Sequence, residues 1–565
     1  MTLHLEIGPE NSEERNITPM SPHVMNLKDV DAFKKEIAHE NVSLNLKDEI
    51  RSDKQSAGRI CIVGEVAYAS QGLGRLPMVA AALMIILVLN LGQLLFLGKK
   101  QGGEALVLAS EAFTSLKDAG SSALNSGELG ADLALFEDAE LLFTQAEAKA
   151  NFLLSTESEW LTEPQEVQSL RHLLEAGTEM AELGRLLSDA RTSFETLPAE
   201  GSLTDYIRSV SERDLEPAAA KLSQINILLD QVDLSGTEFE ESFAEVQGKL
   251  EEVNDLLNWW LSIKEPVYKM LGDRYPQRYL VLLMNNDELR PGGGFIGSFV
   301  LLDLNDGRIE NMEFHDVYEY DNRTYEHIEV PIHELRHLTP EWRLRDSNIY
   351  PDFPSSAQEA ARFLELEGGP GVDGVIGVNL SAAQSFLEVT GPLSLSSLPK
   401  PLTAETFPVV LSTLVEAKVY GKHSPKEVVG ELVDNFISAI DSPELMMGMG
   451  RKILEEAQKK QIMFYHSDPE VQEVIVDFGL DASLPKLTEV EGDFLMPIFT
   501  NIGANKADRY METGLRHQTH IFDDGSIVNE LTLTRRNNFN NDVLAWLKKT
   551  TAEYGFTTWS DHLEG

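Results

Sequence analysis

Three stretches of this sequence combine residue types and spacings that can do chemistry. Gly292-Gly293-Gly294-Phe295-Ile296-Gly297 has the spacing G-x-G-x-x-G. A dinucleotide site needs a helix directly afterwards, so that its N-terminus meets the pyrophosphate. Phe295–Leu304 (FIGSFVLLDL) reads as a strand instead, so a Rossmann site is set aside. The loop itself keeps two readings. Arg290 with the amides of Gly292, Gly293 and Gly294 suits an anion-binding nest. Alternatively the run is a tight turn and Arg290 makes a structural ion pair.

His333-Glu334-Leu335-Arg336-His337 matches H-E-x-x-H. Zinc hydrolysis on that motif needs a helix carrying both histidines on one face, plus a third ligand. Pro331 and Pro340 leave little room for such a helix, and no H-x-x-G-x-x-H extension follows, so coincidence is the better reading. The third stretch joins Arg345-Asp346-Ser347-Asn348 to Pro351-Asp352-Phe353-Pro354, with Ser355 as candidate N-cap of a following helix. Prolines make this a rigid loop, and one cation with two carboxylates suits a metal and a phosphate held together. Capping and loop-locking explain the same residues. There is no G-x-x-x-x-G-K-[ST] loop and no G-x-S-x-G elbow.

The elements that must position these residues follow from periodicity. Residues 104–265 repeat apolar side chains at steps of three and four: Leu135, Ala139, Leu142, Ala146, Ala150 and Leu153, then Leu170, Leu173, Gly177, Met180, Leu183 and Leu187. Breaks at Gly127–Gly130, Pro164 and Pro198–Gly201 divide them into long helices, which predicts an antiparallel bundle or stalk. No inward His or paired Glu-x-x-His marks it as a cofactor bundle. From 272 to 490 the order is mixed. Arg278–Met284 and Phe295–Leu304 read as strands, Asn305-Asp306-Gly307 as a hairpin turn into Arg308–Phe314, and Gly374–Val378 as a further strand. Helices are expected at Ser355–Glu365 and Ala382–Val389, and at about 403–418, 425–440 and 443–460. This is an α/β (mixed α+β) domain. Gln518–Phe522 and Ser526–Leu533, turned at Asp523-Asp524-Gly525, predict a small β unit across 491–565.

Leu76–Gly98 is a run of 23 residues without a charge. As a helix it spans about 34 Å, enough for a hydrocarbon core of about 30 Å. Some 75 residues precede it, which is unlike a cleaved leader. A transmembrane helix at 76–98 is expected, after a polar, largely disordered tail at 1–75. Flanking charges do not orient it: Arg59 and Arg75 precede, Lys99, Lys100 and Lys117 follow. The single cysteine, Cys61, lies before the run, which favours a cytoplasmic N-terminus and an extracytoplasmic body. It also rules out a disulfide framework, a Cys-based zinc site or a cysteine nucleophile in that body. The formal charge of −45 argues against nucleic acid as partner.

Four stretches in order, NNDELRPGGGFIGSFVLLDLNDGRI (Asn285–Ile309), LRDSNIYPDFPSSAQEAARFLE (Leu344–Glu365), VDGVIGVNLSAAQSFLEVTGPL (Val372–Leu393) and NIGANKADRYMETGLRHQTHIFDDGSIVNELTLT (Asn501–Thr534), resemble an uncharacterised bacterial family of single-span membrane proteins, domain of unknown function 4012. Relatives commonly continue beyond NNFNNDVLAWLKKTTAEYGF, so a truncated or divergent C-terminus is expected. More distantly, the order of elements is similar to the LytR–CpsA–Psr family, which transfers glycopolymers from lipid pyrophosphate carriers to the cell wall. His315-Asp316 stands where that family has a P-R-D turn, although its R-x-D-T motif is absent because Pro-Gly-Gly follows Arg290. That resemblance implies that Arg290 and Arg345 grip pyrophosphate while Asp316 and Asp346 hold a divalent metal such as Mg2+. It implies an envelope phosphotransferase acting on a lipid-linked substrate at the membrane. The competing expectation is a non-catalytic envelope protein for assembly or adhesion.

Overall fold

The computed structural model describes residues 2–6 and, with short interruptions, 107–556. The 76–98 run lies outside the described residues, as does nearly all of 1–75. No helix among the described residues is long and apolar enough to cross a membrane.

The described part of the helical region is a bundle. Its helices are α1 (Leu133–Thr156), α2 (Gln165–Glu195), α3 (Leu203–Val210), α4 (Glu216–Leu229) and α5 (Glu240–Met270). Helical residues between 107 and 119 add Ala109, Ala112, Leu116 and Ala119 to its core. The seam of α1 keeps Ala139 and Ala146 of the expected one but takes Phe136 and Phe143 in place of Leu135 and Leu142. Phe136, Ala139, Phe143 and Ala146 are buried, whereas Leu135 and Leu142 only flank them. The cause lies on α2. A Cβ at Gly177 would stand 2.6 Å from the Phe143 ring and one at Gly184 2.3 Å from the Phe136 ring, so the two glycines are the sockets that admit these rings. Between α3 and α4 the chain makes one π turn, Ser211–Leu215, where the Trp260 indole donates to Ser211 Oγ at 3.0 Å.

Helix α5 leads straight into a five-stranded sheet, in spatial order β4-β3-β2-β5-β6. The strands are β2 (Gln277–Arg290), β3 (Gly293–Asn305), β4 (Arg308–Asp316), β5 (Gly374–Asn379) and β6 (Ile462–His466). Only the β2–β5 pair is parallel. The β3–β4 turn uses Asp306 and Gly307 at φ +51° and +72°, the left-handed pair that a two-residue hairpin needs. The same turn seats the bundle. Gly307 N donates to Leu271 O at 2.7 Å, Leu203 N to Asp306 O at 3.2 Å, and Arg308 Nε to Gly201 O at 2.7 Å. A second contact joins α5 to α12 (Pro469–Asp477) through Trp259 against Phe478 and the Lys269–Asp468 ion pair. The bundle is therefore docked on the base of the sheet.

The two sheet faces differ. Leu280, Leu282, Ile296, Phe299 and Leu301 pack against α7 (Phe353–Leu366) and the 328–350 loop in a closed core. Helix α7 is capped by Asp352, whose side chain accepts from Ser355 N at 3.1 Å, so the cap is three residues earlier than Ser355. The opposite face is covered by α8 (Leu380–Thr390), α9 (Phe407–Glu416) and α10 (Pro425–Ala439), with α11 (Pro443–Gln458) packed on α8. Beyond the sheet, β7 (Met511–Ile521) and β8 (Ile527–Asn537) form an antiparallel hairpin. Strand β1 (Thr2–Glu6) pairs antiparallel with β8, which orders these five residues within the stretch expected to be a tail. The chain then returns in α13 (Asn541–Glu553) onto α9, where Tyr554 donates to Pro401 O at 2.7 Å. The described C-terminal unit is thus β hairpin plus helix, and its Tyr554 and Phe556 belong to the core over α9.

Candidate functional site

Strand β2 ends in Glu288 and Arg290, and both side chains turn into the protein. Arg290 Nη2 donates to Glu288 Oε1 at 2.9 Å, and Nη1 to the carbonyls of Leu289 and Asn501 at 3.1 and 3.2 Å. Its Nε stands 3.8 Å from Asp346 Oδ1, an ion-pair rather than a hydrogen-bond distance. Asp346 lies in the 3-10 turn Leu344–Asp346, where the Trp342 indole donates to its carbonyl at 2.8 Å. Its other carboxylate oxygen faces Arg345 Nε at 3.2 Å. Arg345 continues to Asp321, the last residue of α6 (Val317–Asp321), with Nη1 2.5 Å from Oδ2. Lys506 completes the group, its Nζ 2.8 Å from Glu288 Oε2. The order Lys506–Glu288–Arg290–Asp346–Arg345–Asp321 alternates in sign and sums to zero.

Burial pushes Asp321 and Asp346 up from the usual carboxylate range. Arg345 opposes the shift in both cases, and Arg290 does so for Asp346. Glu367 is more perturbed. It is buried behind Leu344, whose amide donates to its Oε1 at 3.4 Å, and its other oxygen has no hydrogen-bond partner. Burial first, then the charge of Asp321, pushes its carboxyl up to about 7 against the opposing pull of Arg343 and Arg345.

Of the residues expected to act together, Arg290, Arg345 and Asp346 converge. Asp316 does not join them. Its Oδ1 accepts from Tyr318 N at 2.9 Å at the start of α6, and it lines a separate cavity. Asp316 and Asp346 therefore do not form a shared pair of carboxylates for one metal, and among the described residues no group of three or more His, Cys, Asp or Glu is arranged to hold one. The glycine run is spent on packing rather than on an anion. Gly292 N donates to Asn348 O at 2.9 Å, and Asn348 Nδ2 donates to Gly294 O at 2.7 Å. Gly293, at φ +132°, closes the hairpin opposite Arg290, and a Cβ on Gly294 would stand 2.1 Å from Asn285 C. These glycines let two backbones meet. His333–His337 is a single 3-10 turn. A turn of five residues is not the longer α-helix that zinc hydrolysis on this motif needs, and Leu335 within it is buried.

The feature missed by the sequence reading is a cavity of 380 Å³ on the second sheet face. Its floor is Val281, Leu283, Val300, Leu302, Met312 and Phe314; its roof is Phe386 and Ala383 of α8, Leu411 of α9, and Leu432, Val433 and Phe436 of α10. Asn285, Asp316, Asn379 and Lys506 bring polar groups to this apolar lining. Lys506 thus belongs both to the cavity wall and to the ion network.

Residues 275–415 match the family model described as "Protein of unknown function (DUF4012)". The matched segment runs from β2 to α9 and so contains most of the ion network and the cavity floor. It supports the family resemblance of the stretches at Asn285, Leu344 and Val372; the stretch at Asn501 lies beyond it. No curated protein and no solved structure matches this chain, and the LytR–CpsA–Psr likeness has no counterpart in these comparisons.

Two outcomes follow from the network. Arg290→Ala leaves Glu288 and Asp346 buried with a lost partner, so denaturant unfolding should show a loss of about 3–5 kcal/mol, the cost of breaking a buried pair from one side. A free ligand-gripping arginine would cost almost no stability. Glu367 has a raised pKa, so its contribution to stability is present below the unfolded value of 4.5 and lost as pH rises to about 7. The stability of Glu367→Gln relative to the parent should therefore climb between those values and be flat above, as read by thermal melts across pH.

Proposed function

We propose that this protein is a membrane-tethered, extracytoplasmic envelope protein whose α/β region holds the hydrocarbon chain of an amphiphile. The observation that carries the reading is the 380 Å³ apolar cavity between the sheet and α8–α10, within the range of small-molecule sites. Burying an alkyl chain there gains roughly 25 cal/mol per Å² of apolar surface. The uncharged run Leu76–Gly98 supports the tether. It ends eight residues before the first described helical residue, Val107, so the bundle would stand close to the bilayer.

A lipid pyrophosphate transferase is the second reading, and the convergence of Arg290, Arg345 and Asp346 favours it. Those arginines are already neutralised by Glu288, Asp321 and Asp346, which leaves no surplus positive charge for a pyrophosphate. A role in binding or assembly therefore stands ahead of transfer. The tether also has a structural consequence. One crossing at 76–98 puts residues 2–6 and 530–534 on opposite sides of the membrane, so this crossing and the β1–β8 pairing are alternatives within one chain.

The cavity reading is tested with an uncharged alkyl diazirine, photo-crosslinked to the full chain in membranes. Label should map to peptides spanning 379–386 and 429–436, and Val433→Trp, which fills the cavity, should abolish it. Label spread evenly over the surface would overturn the reading. The topology is tested at Cys61, the single thiol. A membrane-impermeant maleimide should modify it only after cells are lysed; modification in intact cells would reverse the orientation.

A further inference from the structure

Asn379 is the last residue of β5 and the N-cap residue of α8, yet its side chain makes no capping hydrogen bond. An Asn in that position ordinarily gives its oxygen to the first turn of the helix. Here Asn286 does so instead, its Oδ1 accepting from Ser381 N at 3.3 Å. The Asn379 carboxamide is released into the cavity wall. It is 4% exposed, and its Oδ1 has no hydrogen-bond partner. A buried polar atom left in this state costs stability unless something completes it. Oδ1 lies against Gly293, where a Cβ would stand 3.1 Å from it, so the glycine leaves the carboxamide room to turn toward the cavity.

The charges that line the cavity do not favour an anion. Lys506 is matched by Glu288 at 2.8 Å, and Glu288 by Arg290. Asp316 adds a carboxylate to the same wall. We infer that the cavity selects an amphiphile with an uncharged hydrogen-bonding end group, an alcohol or an amide, and that Asn379 is the residue that recognises it. Hydroxyl and amide groups both donate and accept, so either face of the carboxamide is completed by them. A phosphate or carboxylate would meet Asp316 and a lysine without surplus charge. This inference rests on the hydrocarbon-binding reading of the cavity.

The test uses the full chain in membranes, with the alkyl diazirine label displaced by dodecanol, dodecanamide, dodecyl phosphate or dodecanoate. The expected result is displacement by the alcohol and the amide at about fivefold lower concentration than by the two acids, as one net hydrogen bond provides. Asn379→Leu and the smaller Asn379→Ala should erase that advantage while the uncharged label still maps to 379–386 and 429–436, which shows that the variants fold. Stronger displacement by the phosphate or the carboxylate, or an advantage that survives in both variants, would overturn the inference. Absence of cavity labelling in the parent protein would instead remove the hydrocarbon-binding reading beneath it.

Discussion

The buried pairing of Arg290 with Glu288 and Asp346 is the constraint on which the rest of the α/β region depends. It sits where four separate pieces of chain meet: the end of β2, the 344–346 turn, α6 through Asp321 and Arg345, and the 501–506 segment through the Asn501 carbonyl and Lys506. None of these pieces is a neighbour of another in sequence. Charges buried this deeply are tolerated only when each has a partner, so the network fixes the relative placement of all four. It also explains the glycines beside it. Arg290 turns inward only if the hairpin after it is tight enough for Gly292 to reach the Asn348 carbonyl.

With one end of the sheet locked, its faces are free to serve different ends. The α7 face is filled, and Gly377 shows how closely: a Cβ there would stand 2.7 Å from the Phe353 ring. The α8–α10 face is roofed by helices that leave a cavity above the floor, and Val281, Leu283 and Leu302 are only half-buried there. Interiors pack densely by default, so an apolar space of this size is a costly feature that a bound chain would offset.

Much of the fold was legible because it rests on local patterns. The heptad-like spacing of the bundle, the branched runs of β2 and β3, and the Asn305-Asp306-Gly307 turn each report their own geometry. What escaped was set by distant partners. Strand β6 is five residues long and pairs only with β5, and α12 is identified by the Asp468 cap and its packing on α5 rather than by a long periodic stripe. In the site, the sequence singled out Arg290, Arg345 and Asp346 by motif, but not Glu288, Asp321 or Lys506, which complete the charge count, nor Glu367 behind Leu344. The cavity was hidden for another reason. Strands apolar on both faces read as buried, and spacing alone does not distinguish a packed face from a hollow one.

The distribution of charge then bears on what the hollow face can hold. The chain carries −45 overall, and the lysine in the cavity wall, Lys506, is already paired with Glu288. A field of that sign slows and weakens the approach of anionic ligands, and a site meant for them would need concentrated, unspent cations to overcome it. The network does the reverse, matching every arginine with a carboxylate before any ligand arrives. An uncharged amphiphile meets no such barrier: its chain gains from the apolar floor, and its end group needs only one unsatisfied amide. For the proposed ligand, the neutral network and the net negative charge would act together, with binding driven by apolar burial and steered by hydrogen bonding rather than by charge.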